Sequence, residues 1–188
     1  MKKLLGIVVL GLFLSGNAYA ELITLTKCYL EKYVHVDKVS YTSKLVNGIV
    51  KKIQKPSIIT ETYKFKNFKE HYSHPEFKHH ENLLYTLDTV TEIITRTVVN
   101  SESYIENFLK KGVVVDKYSK DQYSITDLGG NIASAEILKK GKNIDVDKID
   151  VDFVSNKVFA TLKMSFKLQD GESSSMSLSK IYKCKRQK

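Results

Sequence analysis

Four of the five histidines in this 188-residue chain fall in one decade: His71, His74, His79 and His80, interleaved with Glu70, Glu76 and Glu81. Imidazole and carboxylate at that density are the ligand types that hold Zn²⁺ or Cu²⁺. His71 and His74 fit one face of a helical turn, which Pro75 would break, sending His79 and His80 elsewhere. The same composition is more simply that of a solvated polar loop. His80-Glu81-Asn82-Leu83-Leu84 opens like the zinc-protease helix H-E-x-x-H, but Leu84 stands where the second ligand must be. That departure removes the case for a metalloprotease.

A second cluster is acidic. Asp145, Asp147, Asp150 and Asp152 lie in a near-repeat running from Ile144 to Phe153. Paired D-x-D groups offer the hard oxygens that Ca²⁺ prefers, but an EF-hand loop also needs a glycine near its sixth position and a terminal Glu. Neither is present. The simpler reading is two acid-faced strand fragments shifted in register at Lys148.

Nucleophilic chemistry has less to work with. No G-x-S-x-G elbow, Walker loop, G-x-G-x-x-G or C-x-x-C occurs. Ser177 and Lys180 satisfy S-x-x-K formally, yet they sit in a predicted strand, whereas in penicillin-binding proteins that motif opens a helix. An enzyme would need a site assembled from dispersed residues, revealed by a deep pocket with convergent polar groups and perturbed ionisation.

The two cysteines are more informative. Cys28 and Cys184 lie near the chain's two ends and permit one intramolecular pairing. Their pairing is expected if the chain leaves the cytoplasm. It would bring the first and last elements together, with Cα atoms about 4.4–6.8 Å apart.

An export signal is legible. Lys2 and Lys3 precede an apolar run from Leu4 to Leu14, and Ala18-Tyr19-Ala20 supplies the small residues at a cleavage site. The run is about half the roughly 20 residues a spanning helix requires. Residues 1–20 are therefore read as a cleavable bacterial Sec signal, cut after Ala20 and excluded from fold reasoning. Glu21 rather than cysteine follows, which argues against a lipoprotein. The expected working protein is one periplasmic or secreted domain, residues 21–188, with no later run of spanning length.

The chain carries a formal net charge of +9, which becomes +7 without Lys2 and Lys3. A basic balance fits an anionic partner such as an envelope component. Of the 30 Lys and Arg residues only Arg96 and Arg186 are arginine, and the lysines are scattered. Bidentate recognition of phosphates and bases favours arginine, so no nucleic-acid partner is expected.

The elements that would position these groups are mostly strands. Val158, Ala160, Leu162, Met164, Phe166 and Leu168 share one parity, and Met176, Leu178, Tyr182 and Cys184 resume it. A three-residue loop, Gln169–Gly171, pairs even with even and matches Met164 to Met176 and Leu162 to Leu178. Further strands are expected over 22–30, 57–66, 83–88, 90–99, 113–118, 122–127, 131–138 and 144–153, with turns at Leu128–Asn131 and Ser155–Lys157. Ser103 and Glu106 form a capping box for a short helix, with Tyr104, Ile105, Phe108 and Leu109 on its apolar face and Gly112 ending it. Residues 33–55 fit either a helix face or a hairpin turning at Asn47-Gly48, and the hairpin is preferred.

The expected fold class is α+β and predominantly antiparallel β: a meander sheet, or a partial barrel or sandwich, with one short helix. The basic chain end does not resemble the aromatic closing strand of an outer-membrane barrel. The expected function is a non-enzymatic ligand- or partner-binding or envelope protein. One alternative is a periplasmic metal-binding protein using His71 to His80; another is an enzyme with a dispersed site.

Overall fold

A computed structural model describes residues 22–39, 42–46, 49–53, 57–77, 80–167 and 173–187. The signal segment, Asn47-Gly48, His79 and the Gln169–Gly171 loop lie outside the described residues.

Eleven strands are present among them: β1 (Leu22–Val39), β2 (Thr42–Val46), β3 (Ile49–Ile53), β4 (Ser57–Lys64), β5 (His80–Asp88), β6 (Ile93–Asn100), β7 (Tyr118–Gly129), β8 (Ile132–Ile137), β9 (Ile144–Asp152), β10 (Lys157–Lys167) and β11 (Ser173–Arg186). Two short helices interrupt them, α1 (Phe68–Ser73) and α2 (Glu102–Leu109). β5 to β11 run as an antiparallel meander, and β1 pairs with both β5 and β11. Eight strands thus close into a barrel, where the sequence led us to expect an open sheet or partial barrel. The reason is β1, which is long enough to serve two partners on one edge. Its start pairs with β5, from Leu22 opposite Asp88 to Leu25 opposite Tyr85, and its second half pairs with β4, from Lys32 opposite Lys64 to Val39 opposite Ser57.

The alternation in the last two strands sets the register as expected. Met164 faces Met176 and Leu162 faces Leu178. β2 and β3 form the preferred hairpin, with Val46 opposite Ile49. Gly130, at φ +59°, turns β7 into β8, a conformation glycine adopts without steric cost.

Two expectations fail for local reasons. Residues 113–116 adopt no regular secondary structure and join no strand ladder. Val113 and Val114 are exposed, and the segment is pinned instead by Asn100, whose side chain donates to the Asp116 carbonyl at 2.9 Å. α2 also starts before its expected cap: the Ser101 carbonyl accepts from Ile105 N–H, which places Ser103 inside the first turn.

Inside the barrel, one buried cluster runs from Ile23 and Leu25 through Leu87, Ile94, Val151 and Val158. Lys27, at φ +50°, marks a β-bulge where the β1–β11 register shifts. An extra residue reverses the inward parity, so Ile23 and Leu25 are buried before it and Cys28 and Leu30 after it. Cys28 and Cys184 are joined there, with Cα atoms 4.0 Å apart, slightly closer than the usual span. No helix among the described residues is long and apolar enough to cross a membrane.

Candidate functional site: a chamber at the loop end of the barrel

The barrel has two unlike ends. Tight turns after β5, β7 and β9 gather at one, while the 113–117 segment and the extension of β1 with β4 lie at the other. Cross-strand partners share a face, so the register identifies the inner wall. Leu83, Tyr85 and Leu87 face Val98, Arg96 and Ile94, which in turn face Ser119, Asp121 and Tyr123. Across the barrel, Val158 and Ala160 face Tyr182 and Lys180, which face Leu30 and Tyr33. Apolar side chains fill the tight-turn end. Charged and phenolic groups occupy the layers toward the loop end.

These layers enclose a cavity of about 320 Å³ lined by Leu83, Val98, Arg96, Asp121, Lys180 and Tyr182, with His71, Tyr72 and Phe77 from the α1 region. Arg96 donates to Asp121 Oδ2 twice, from Nη2 at 2.7 Å and from Nε at 3.2 Å. Burial alone would weaken the guanidinium's hold on its proton, but Tyr123, Tyr85 and Asp121 outweigh it and raise the pKa further. Burial also raises the Tyr123 and Tyr85 hydroxyls, and pushes Tyr72 up to about 12. The Tyr123 hydroxyl donates to Asp147 Oδ1 at 3.3 Å. Asp147 is raised by its burial against the opposing pull of Arg96 and that hydrogen bond. The Tyr85 hydroxyl is buried with no hydrogen-bond partner among the described residues.

Lys180 differs from the other charged groups. Its ammonium lies over the Tyr33 ring, 5.8 Å from the centroid. Among the described residues no carboxylate comes within ion-pair distance of it.

α1 forms one wall of the chamber, and its position follows from the two partners of β1. Between the β5-paired and β4-paired stretches, residues 26–31 of β1 lack a strand on that edge. The segment between β4 and β5 fills the seam. Phe65 N–H donates to the Glu31 carbonyl at 3.1 Å, Leu30 N–H donates to His71 Nδ1 at 3.4 Å, and the Tyr72 hydroxyl donates to the Cys28 carbonyl at 3.2 Å. Asn67 caps the helix by accepting from Glu70 N–H, and Glu70 returns the bond by accepting from Lys66 N–H.

The expected metal ligands are therefore placed as follows. His71 is buried, with Nδ1 committed to Leu30. The His74 ring packs 5.3–5.5 Å from those of Tyr63, Phe65 and Phe77. His80 enters β5 opposite Asn100. No group of three or more His, Cys, Asp or Glu side chains is arranged to hold a metal among the described residues.

The acidic near-repeat is divided between the two faces of β9. Asp147 shares the inward parity of Ile149 and Val151, whereas Asp152 lies outside and accepts from the Val154 and Ser155 N–H groups of the next turn. The β9–β10 register shift falls between Val146 and Ile144, not at Lys148.

Sequence reading missed the chamber's charged groups. The signal was parity: Arg96 shares it with Ile94 and Val98, Asp121 with Tyr123 and Ile125, and Lys180 fills the gap between Leu178 and Tyr182.

A larger, open groove of about 1130 Å³ lies on the outer wall, with Tyr29, Phe68, Leu84 and Tyr118 in its lining and Lys27, Lys183 and Lys185 around them. The inner chamber is the better candidate despite its smaller volume, because the groove offers only lysine and tyrosine as ionisable groups.

Fold and chamber together define a closed antiparallel barrel with an enclosed, charge-bearing pocket at one end. No protein-family model matches the chain, and no curated protein matches its sequence.

Proposed function

We propose that this protein is a non-enzymatic binding protein of the periplasm or the extracellular space, and that it takes a small molecule into the loop-end chamber. The observation that carries this reading is the chamber itself. Eight-stranded barrels are just wide enough to be filled by side chains or to hold one small ligand. Here the inner wall leaves about 320 Å³ open beside three charged side chains, within the usual size of ligand pockets. Export is supported by the Cys28–Cys184 bridge, since disulfides persist in oxidising compartments. The outer groove, with three lysines and no carboxylate in its lining, is where an anionic envelope component would meet the surface.

Perturbed ionisation would also suit an enzyme, but the phenols near the chamber are not shifted toward activation. A phenol activated for proton transfer has a lowered pKa, whereas Tyr72, Tyr85 and Tyr123 are all raised. The shifts describe buried phenols that keep their protons. The metal-binding alternative has less support, because His71 Nδ1 already serves the α1 seam.

The test is native mass spectrometry of protein recovered from its own host envelope, with elemental analysis on the same sample. A retained small molecule, absent from a Val98→Trp variant that still forms the disulfide, is the expected result. A molecule retained equally by Val98→Trp would overturn the chamber as the site. Stoichiometric zinc or copper, lost on His74→Ala, would replace this reading with the metal-binding one.

A further inference from the structure

Three charged side chains line the chamber, and they do not balance. Arg96 and Asp121 neutralise each other through two donors on one oxygen. Among the described residues Lys180 has no ion-pair partner, and its ammonium lies over the face of Tyr33. Asp147, on β9, feels the charge of Lys180 only as the smallest of the influences on it; it is hydrogen-bonded to the Tyr123 hydroxyl and is not among the chamber's lining residues. A half-buried ammonium without a carboxylate partner is costly to maintain unless something else supplies the counter-charge. The same lining carries the apolar side chains of Leu30, Phe77, Leu83 and Val98.

We infer that the chamber binds a small amphipathic anion, with its carboxylate-type headgroup on Lys180 and its apolar or aromatic body against Phe77, Leu83 and Val98. The inference rests on the binding-protein reading above and specifies its ligand class. Charge-assisted hydrogen bonds to an ammonium are about twice as strong as neutral ones. An apolar wall then selects against hydrated inorganic anions, which cannot use it.

The experiment compares three probes of one shape on the disulfide-bonded protein, by calorimetry at neutral pH: benzoate, benzamide and benzylamine. Benzoate is expected to bind about tenfold more tightly than benzamide, as one charged hydrogen bond implies, and benzylamine more weakly still. Lys180→Met is expected to bring benzoate down to the benzamide level, and Lys180→Arg to restore the preference. Equal binding of benzoate and benzamide, or an unchanged preference in Lys180→Met, would overturn the anion assignment while leaving the chamber as a binding site. Failure of all three probes to bind would overturn both.

Discussion

Arg96 and Asp121 face each other on adjacent strands inside the barrel, joined at 2.7 Å between Nη2 and Oδ2, with a quarter to a third of each side chain exposed. Their pairing lets two charges occupy the inner wall and fixes one edge of the chamber. Removing one partner leaves the other partly desolvated and alone, which costs more than the pair contributes net. Arg96→Met is therefore expected to destabilise the fold by about 2 kcal/mol, and Arg96→Met with Asp121→Leu by less than the single change. Urea unfolding of the parent, the two single variants and the double variant decides it. A double variant as unstable as the sum of both singles would show that the pair is not coupled.

Cys28 and Cys184 are 156 residues apart, so their bond closes nearly the whole described chain into one loop. Restricting the unfolded state that far contributes about 4–5 kcal/mol by the chain-entropy argument. The double Cys→Ala variant is expected to melt on the order of 10 °C lower. Barrel closure itself does not depend on the bond, because β1 and β11 pair along most of their length. Far-ultraviolet dichroism of the reduced protein at low temperature is accordingly expected to keep its strand signal. Loss of that signal would mean that the bond, and not the ladder, closes the barrel.

Strand order along the meander was legible in the sequence because alternation reports burial directly. Val158 and Ala160 are buried around an exposed Phe159, and Met164 and Phe166 are less exposed than Lys163, Ser165 and Lys167; the parity rule alone set the β10–β11 register. Closure was not legible, because it depends on how β1 divides its edge between β4 and β5, and no local pattern marks that division. The bulge at Lys27 hid it further by reversing parity within one strand. The histidine cluster was ambiguous for a related reason. Residue type pointed to a metal, while the seam in β1 needed an acceptor and a donor, which His71 and Tyr72 supply. The chamber's charges were visible only as exceptions to apolar parity, and an isolated Arg, Asp or Lys in a strand is ordinarily read as an outward-facing residue.

Asp147 gives the fold a pH dependence of definite sign. Burial raises its carboxyl above the ordinary value of 3.8, so the folded protein holds that proton more tightly than the unfolded chain does. Between the two pKa values folding takes up a proton, and stability falls as pH rises through that window. The loss persists at neutral pH. Asp147→Asn keeps an acceptor for the Tyr123 hydroxyl and removes the charge. It is expected to melt higher than the parent at pH 7, with the difference closing as pH falls toward 3.8. A lower melting temperature at pH 7 would show that attraction to Arg96 and Lys180 outweighs the burial of the carboxylate.

The α1 seam makes the last prediction the most local. Leu30 N–H and the Cys28 carbonyl on the β4/β5 edge of β1 are served by His71 and Tyr72 rather than by a strand. His71→Ala leaves a buried donor unsatisfied and a void behind the Phe65 and Phe77 rings, at a cost of about 2–3 kcal/mol. Tyr72→Phe removes only the hydroxyl and is expected to cost about 1 kcal/mol. Amide hydrogen exchange separates a seam from a general loss of stability. If α1 only plugs the edge of β1, His71→Ala speeds exchange at Leu30 and Phe65 well beyond the change at Ile149 and Val151 on the far wall. If exchange rises equally everywhere, α1 is part of the cooperative core and the wall it gives the chamber cannot open by itself. Local opening would make the seam a route by which a ligand reaches the chamber, since His71 and Tyr72 serve the seam and also line the chamber.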